Sequence, residues 1–215
     1  MNAVDYQTLV FDCDGVVLNS NKVKTDAFYQ AALPYGEAAA KALVDYHVAR
    51  GGISRYKKFE WFIQNIVADN PGPNLDQLLA LYAAEVRHGL LNCNVAAALV
   101  ELREKTRNAN WLIVSGGDQH ELREVFAERG LAQLFDGGIF GSPDSKDVIL
   151  ERELSNGNIT KPALFLGDSK YDYQASTAAG LDCIFLTDWT EVKDWQDFCT
   201  VNCIKSIPSL KHLLS

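Results

Sequence analysis

Asp12 and Asp14 stand in the run Thr8-Leu9-Val10-Phe11-Asp12-Cys13-Asp14-Gly15-Val16-Val17, where a short apolar stretch gives way to a glycine turn. Leu9, Val10 and Phe11 form the continuous apolar run of a strand covered on both faces, and such strands rarely carry charge inward. In an extended chain Asp12 and Asp14 project to the same side and Cys13 to the other, so the two carboxylates together can hold a divalent cation. Open α/β sheets bind their ligands beyond the carboxyl ends of the strands, where this pair emerges. Taken alone, Asp-x-Asp-Gly also fits a solvated turn in which each aspartate bonds its own backbone.

Three later positions bear on that choice. Ser115-Gly116-Gly117 follows the apolar residues 111–114 and offers a hydroxyl and unhindered backbone N–H groups just before a helix, an arrangement that suits phosphate. Gly167-Asp168-Ser169-Lys170-Tyr171-Asp172 follows the apolar residues 163–166, and Asp168 there can complete a metal site with Asp12 and Asp14. Lys146, in Gly141-Ser142-Pro143-Asp144-Ser145-Lys146-Asp147, falls near the start of a helix. By itself it is a solvated surface charge, and beside the acids it becomes their counter-charge.

The elements that must position these residues follow from the pattern. Residues 21–91 read as helical with no convincing strand. An alanine-rich helix over 37–50 stops at Gly51-Gly52, and Ser54 can cap the next, whose Phe59, Phe62, Ile63, Ile66 and Val67 share one face. Asn74 and Gln77 form a capping-box pattern that opens a third helix through Leu75, Leu78, Leu79, Tyr82 and Val86. After Asn94 helix and strand alternate. A helix is expected through Val95, Leu99 and Leu102, and another after Asp118 and Glu121, which repeat the capping-box pattern. Strands are expected at 111–114, 138–140, 163–166 and 183–186. Strands separated by helices indicate a parallel sheet. The expected fold is α/β, a doubly wound parallel-sheet core formed by residues 1–18 and 92–215, with residues 19–91 inserted as a helical domain.

Composition narrows the partners. The 215-residue chain has a formal net charge of −8, which argues against a nucleic-acid or anionic-membrane surface and leaves a small ligand as the expected partner. No stretch is long and apolar enough to span a bilayer, and Met1-Asn2-Ala3-Val4-Asp5-Tyr6 lacks the pattern of a signal peptide. Cys13, Cys93, Cys183, Cys199 and Cys203 are scattered and read as thiols of a cytoplasmic protein. Cys199 and Cys203 share a helix face if a helix runs through both, but no further zinc ligands lie nearby.

Together these segments resemble the haloacid dehalogenase superfamily of phosphohydrolases. Asp12-Cys13-Asp14-Gly15-Val16-Val17 looks like its first motif, Ser115-Gly116-Gly117 like its second, Lys146 like the lysine of its third, and Gly167 through Asp172 like its fourth. The resemblance implies a magnesium-dependent phosphatase acting on a small phosphomonoester such as a sugar phosphate. Asp12 would attack phosphorus and form an aspartyl-phosphate, while Asp14 would protonate the leaving oxygen and then deprotonate water, which requires a neutral Asp14 when substrate binds. Mg2+ would be held by Asp12, the backbone carbonyl of Asp14 and Asp168, with Asp172 orienting Lys146 or a metal-bound water. Ser115, Gly116 and Lys146 would hold the phosphoryl oxygens.

The helical insertion matches in position the cap that many relatives carry after the first motif, the branch that includes β-phosphoglucomutase and phosphoglycolate phosphatase. Gly51-Gly52-Ile53-Ser54-Arg55 resembles that branch's substrate loop, which makes Arg55 the cationic candidate for substrate binding, followed by Lys57 and Lys58. All three equally fit a solvated helix face. Asn19 departs from the acid that close relatives often carry there. His120 reads as a surface residue, and Trp189 and Trp195 receive no role. A phosphomutase with the same core remains open. A phosphonate hydrolase would need a cap lysine of depressed pKa, for which the context of Lys57 or Lys58 gives no sign, and a non-catalytic binding protein would not need all four motifs. A monomer and a homodimer fit equally.

Overall fold

The continuous apolar runs become strands and the amphipathic ones helices in the computed structural model, which describes residues 2–68 and 70–214. The strands are β1 (Thr8–Phe11), β2 (Asn110–Asp118), β3 (Gly138–Ser142), β4 (Ala163–Gly167), β5 (Asp182–Leu186) and β6 (Lys205–Ile207). They form one parallel sheet in the order β3-β2-β1-β4-β5-β6. The connections run outward in both directions from β1, so the switch point where such sheets bind ligands lies between β1 and β4. Phe11 is in register with both Ile113 and Leu166, which brings the segments after β1, β2 and β4 to the same edge of the sheet.

Both faces of the sheet are covered, which explains why its strands are apolar without alternation. Helices α5 (Leu99–Lys105), α6 (Gln119–Glu128), α7 (Lys146–Ser155), α8 (Lys170–Ala178) and α9 (Trp195–Val201) belong to this part of the chain. Leu9, Phe11, Trp111, Ile113, Leu164 and Leu166 pack on the side of Leu102 from α5 and of Leu122, Val125 and Phe126 from α6. Val10, Leu112, Val114 and Phe165 pack on the other side with Ile149 and Leu150 of α7 and Ala175 of α8. Truncating a fully buried ring such as Phe11 to alanine costs about 3–5 kcal/mol in sites of this kind.

Between β1 and α5 lie the helices of the insertion, α1 (Asn21–Ala32), α2 (Glu37–Ala49), α3 (Arg55–Asn65) and α4 (Leu75–Asn92). Phe28, Phe59 and Tyr82 meet at their centre, the Phe28 ring centroid 5.1 Å from Phe59 and 4.5 Å from Tyr82. Asn74 and Gln77 make the full reciprocal capping box at the start of α4. The chain leaves the sheet and returns to it side by side: Asn19 donates its N–H to the Asn94 carbonyl at 2.9 Å, and Leu18 bridges Val95.

Several local expectations are corrected. Val95 lies in that bridge rather than in a helix, since α5 starts at Leu99. Ser54 occupies the N-cap position of α3, but its side chain makes no capping bond. Asp118 does cap α6 by accepting the Glu121 N–H, whereas the Glu121 carboxylate is drawn to Arg55 instead of closing a box. Cys203 lies beyond the end of α9, so it shares no helix face with Cys199. Strand β6 has a single apolar residue and helix α9 only seven residues, too short for a periodic pattern to build up.

Candidate active site

β1 ends at Phe11, so Asp12 and Asp14 lie in the turn beyond it rather than in extended chain, and each meets its own partners. The turn depends on Gly15, whose φ of 75° favours glycine and whose missing Cβ would strike the Asp168 carboxylate and the Asn21 amide. Asp12 donates its N–H to the Leu166 carbonyl at 2.9 Å, and its Oδ1 accepts the Cys13 N–H at 2.7 Å. Its Oδ2 lies 3.0 Å from Lys146 Nζ. Lys146, the first residue of α7, also hydrogen-bonds Asp172, and all three side chains are buried.

Asp172 is the third residue of α8 and is fully engaged. Its Oδ2 accepts the Asp168 N–H at 3.2 Å, the Ser169 N–H at 3.0 Å and the Ser169 hydroxyl at 2.6 Å, while Oδ1 takes the Lys146 ammonium. Asp168, at the end of β4, accepts the Asn21 side-chain N–H at 2.7 Å and faces Asp12 across the switch point. Carboxylate oxygens of Asp12, Asp168 and Asp172 lie within 4.8 Å of one another. One ammonium answers these three acids. Burial pushes Asp12 up to about 7 against the pull of Lys146, helped by the charges of Asp172 and Asp14. Asp168 is raised well above the usual carboxylate range by burial and then by Asp12 and Asp172. A divalent cation fits this donor set: it would balance the surplus negative charge, and Asp168 has an oxygen that no described donor takes while each Asp12 oxygen meets a single protein donor.

Asp14 sits in a different field. Its carboxylate pairs with Lys24 of α1, and Ser20 donates its hydroxyl to Oδ1 at 2.6 Å. Burial alone would raise Asp14, but the Lys24 charge and hydrogen bond, with that of Ser20, hold it below the usual carboxylate value. In this arrangement Asp14 is ionised, opposite to the neutral acid that the first proton transfer needs.

Ser115 is fully buried at the end of the regular pairing of β2, and its hydroxyl accepts the Gly117 N–H at 3.0 Å. Gly116 lies against the Gly52 carbonyl, where a Cβ would collide with backbone, so the glycine turn after β2 and the loop before α3 touch. Among the described residues a cavity with about 60 Å³ of free volume opens at this contact, lined by Asp12, Asp14, Asp168, Gly116 and Gly117 from the sheet side. Lys24, His47, Arg55, Lys58 and Tyr82 line it from the helices.

Arg55 therefore reaches the site, but its guanidinium is committed. Its two terminal nitrogens bond the Glu121 carboxylate at 3.1 and 2.5 Å, and it lies over the Tyr82 ring, 4.4 Å from the centroid. Lys57 is exposed, whereas Lys58 is only 2% exposed, so the three basic residues do not form one solvated face. Burial and the charge of Lys24 push Lys58 down to about 7, a depression absent from its sequence context. His120 is exposed, as expected of a surface residue on α6. Trp189 accepts a bond from Asn21 at its carbonyl and packs against the core, and Trp195 opens α9.

Lys24, Asn21 and His47 are not singled out by the motifs, and Glu121 and Tyr82 are read only as a capping-box residue and a helix-stripe residue. Lys24 had a signal: with Ala27, Phe28 and Ala31 it falls on the buried face of α1 at helical spacing.

A doubly wound parallel sheet with acids clustered at its switch point and a glycine turn beside them places the protein in the Rossmann-like α/β class. Residues 6–180 match the family described as "Hydrolase: haloacid dehalogenase-like hydrolase", and the chain belongs to that family. Solved structures agree in fold. A predicted phosphatase from Clostridium acetobutylicum superposes with a TM-score of 0.75 at 16% identity, over 97% of this chain and 96% of the other. A predicted phosphoglycolate phosphatase from Haemophilus somnus 129Pt gives 0.64 at 17% identity over 85% of each chain. CbbY from Rhodobacter sphaeroides, solved in complex with phosphate, gives 0.63 at 15% identity over 84% and 86%. Comparison with curated proteins yields no match. Among the described residues no helix is long and apolar enough to cross a membrane.

Proposed function

We propose that this hydrolase cleaves small phosphomonoesters, with Asp12 as nucleophile and Mg2+ as cofactor. The observation that carries the reading is the position of Asp12: it lies at the switch point between β1 and β4, 3.0 Å from Lys146, within reach of Asp168, and on the same cavity as Gly116.

A phosphate dianion repels a carboxylate, so attack on phosphorus needs positive charge that is fixed before substrate arrives. Lys146 supplies one such charge. It is held ionised because Asp12 and Asp172 outweigh the effect of its burial, and Asp172 fixes it in place. Asp12 and Asp168 would hold Mg2+, with the Asp14 carbonyl as a further oxygen ligand, and the bound ion would neutralise charge on the phosphoryl oxygens. The Gly116 N–H would receive those oxygens. Ser115, whose hydroxyl already takes the Gly117 N–H, shapes that turn and offers its own O–H proton.

Asp12 forms the aspartyl-phosphate as the leaving oxygen departs, and water hydrolyses it in a second step. Asp14, ionised beside Lys24, is set to accept the proton of that water. To donate a proton to the leaving oxygen in the first step it must first part from Lys24. Helices α1 to α4, which wall the cavity opposite the sheet, act as the cap that excludes water and reads the leaving group.

The test is phosphate release from a panel of phosphomonoesters, with magnesium and with a chelator. Activity should require the metal, and Asp12→Asn should lose on the order of 10⁴-fold or more in kcat. Acid quenching should trap a labile phosphoryl group on the wild type and none on Asp12→Asn. Full activity in Asp12→Asn refutes the covalent route, and isomerisation of sugar phosphates with little free phosphate assigns the same core to a mutase.

A further inference from the structure

Three long cations extend from the helices into the cavity, and two of them are locked by acids. Lys24 pairs with Asp14, and Arg55 with Glu121. Lys58, on α3 and 2% exposed, has no carboxylate in ion-pair range among the described residues. Its partner is neutral: Nζ lies 2.7 Å from Nδ1 of His47 on α2, an imidazole kept uncharged by burial and by the charges of Lys58 and Lys24. Both side chains line the same cavity as Asp12 and Gly116.

This difference decides which cation can give up a proton. A carboxylate partner favours the charged lysine and holds its proton, whereas burial beside a neutral imidazole favours release. Burial and then the charge of Lys24 on α1 push Lys58 down to about 7; Lys146 of α7 acts in the same sense, while Asp14 after β1 and Glu191 after β5 oppose them. The bond to His47 survives the loss, because an ammonium and an amine each have an N–H for Nδ1. Asp14 has no proton to give in this arrangement: Ser20 donates to one of its oxygens and Lys24 to the other.

We propose that Lys58 is the general acid of the first step, protonating the leaving-group oxygen as Asp12 attacks, and that Asp14 serves only the water of the second step. This rests on the phosphatase reading above and moves one proton transfer from the turn after β1 to the helical wall. The bond from Asp12 to phosphorus forms as the bond from phosphorus to the leaving oxygen breaks. The electron pair left on that oxygen takes a proton from Nζ, and Lys58 becomes the neutral amine. In the second step the water oxygen bonds phosphorus, its proton passes to Asp14, and the electron pair of the broken bond returns to Asp12. Transfer of that proton through solvent from Asp14 to Lys58 restores both groups. One ester and one water have then become one alcohol and one hydrogen phosphate. His47 positions the ammonium without locking its proton.

Ethyl, trifluoroethyl and acetyl phosphate are similar in size and differ in how much the leaving oxygen needs a proton, ethanol most and acetate not at all. With magnesium, wild-type kcat/KM for ethyl phosphate should fall above about pH 7, where Lys58 of the free enzyme loses its proton, and acetyl phosphate should show no such limb. Lys58→Met should lower ethyl phosphate turnover by roughly 10²- to 10⁴-fold, trifluoroethyl phosphate turnover less, and acetyl phosphate turnover by under about tenfold. Lys58→Arg keeps the charge but has no proton to transfer, so ethyl phosphate turnover should stay low. His47→Leu should lower ethyl phosphate turnover selectively, and His47→Gln, which keeps a neutral acceptor, should recover part of it. A loss equal across the esters in Lys58→Met, or recovery of ethyl phosphate turnover in Lys58→Arg, overturns the acid assignment and leaves the phosphatase standing. An alkaline limb shared by ethyl and acetyl phosphate in the wild type does the same without any variant. Failure of the wild type to turn over even acetyl phosphate overturns the phosphatase reading and the acid assignment with it.

Discussion

Replacing Lys24 by methionine isolates the electrostatics of Asp14. The two side chains are 8% and 14% exposed, and the substitution keeps most of the Lys24 stem while removing its charge. Asp14 is then either a buried charge with Ser20 as its remaining side-chain donor, or a neutral acid. The neutral route sets a ceiling on the cost. Protonating a carboxyl of ordinary value 3.8 at pH 7 spans about 3.2 pH units, at about 1.4 kcal/mol each, or about 4 kcal/mol. At pH 5 the same route costs about 1.6 kcal/mol. The sign follows from the direction of each shift. In wild type the folded value of Asp14 is depressed, so its contribution is present above the unfolded value and lost as pH falls through the folded one. Without Lys24 the folded value rises above the unfolded one, and Asp14 destabilises increasingly from about pH 4 upward. Urea unfolding of both proteins at pH 5 and pH 7, in chelator, should give a loss of about 2–4 kcal/mol at pH 7 that narrows at pH 5. Adding Asp14→Asn to Lys24→Met should recover part of the loss. A loss below about 1 kcal/mol at pH 7, or one independent of pH, refutes the assignment of Lys24 as the group that keeps Asp14 ionised.

Further expectations follow from the same geometry. Lys146→Met leaves Asp12 and Asp172 buried without their shared cation, so it should cost about 3–5 kcal/mol by denaturant unfolding and abolish phosphate release. Gly116→Ala places a Cβ against the Gly52 carbonyl and should separate the two loops; a displacement of about 1 Å should lower kcat/KM by about 10²-fold while the melting temperature changes little. Magnesium should raise thermal stability, by about 2.7 kcal/mol at a hundredfold excess over Kd, and Asp168→Asn should remove most of that gain. Asn74→Ala removes the exposed capping box of α4 and should cost about 1 kcal/mol, seen as a melting shift of roughly 2–4 °C, with phosphate release unaffected.

The sheet was legible because buried parallel strands are written as unbroken apolar runs, and the residues that end them, Asp12, Ser115 and Asp168, break those runs abruptly. Lys146 could be placed because a serine cap precedes it: Ser145 accepts the Val148 N–H and fixes where α7 begins. The helical wall of the cavity was less legible. Arg55, Lys58, Phe59 and Phe62 share one helix face, as do Lys24, Ala27, Phe28 and Ala31, and all eight are buried. A basic residue on an apolar stripe is a signal of a buried charge, but sequence does not supply its partner. Asp14 lies ten residues before Lys24, and Glu121 sixty-six after Arg55, so only the fold pairs them. Periodicity places His47 on the buried face of α2 with Ala40 and Leu43 but says nothing of its partner, which it meets because Gly51 and Gly52 turn the chain from α2 back onto α3.

The separation of Asp12 from Asp14 explains how two acids of one short turn can take different duties. Asp12 feels the charge of Asp14, and Asp14 that of Lys146, so the two titrations are linked, and what tells the acids apart is the cation each one contacts. Here the turn at Gly15 directs Asp12 to Lys146 across the sheet and Asp14 to Lys24 on α1, and their affinities for protons are driven in opposite directions. A dication held by Asp12 and Asp168 favours the charged form of both, which is what a nucleophile needs. Asp14 depends instead on a helix that is not part of the sheet. Its protonation state is therefore tied to where α1 stands over the cavity, while Asp12, the proposed nucleophile, and Lys146 are fixed by a strand end and a helix start that belong to the sheet.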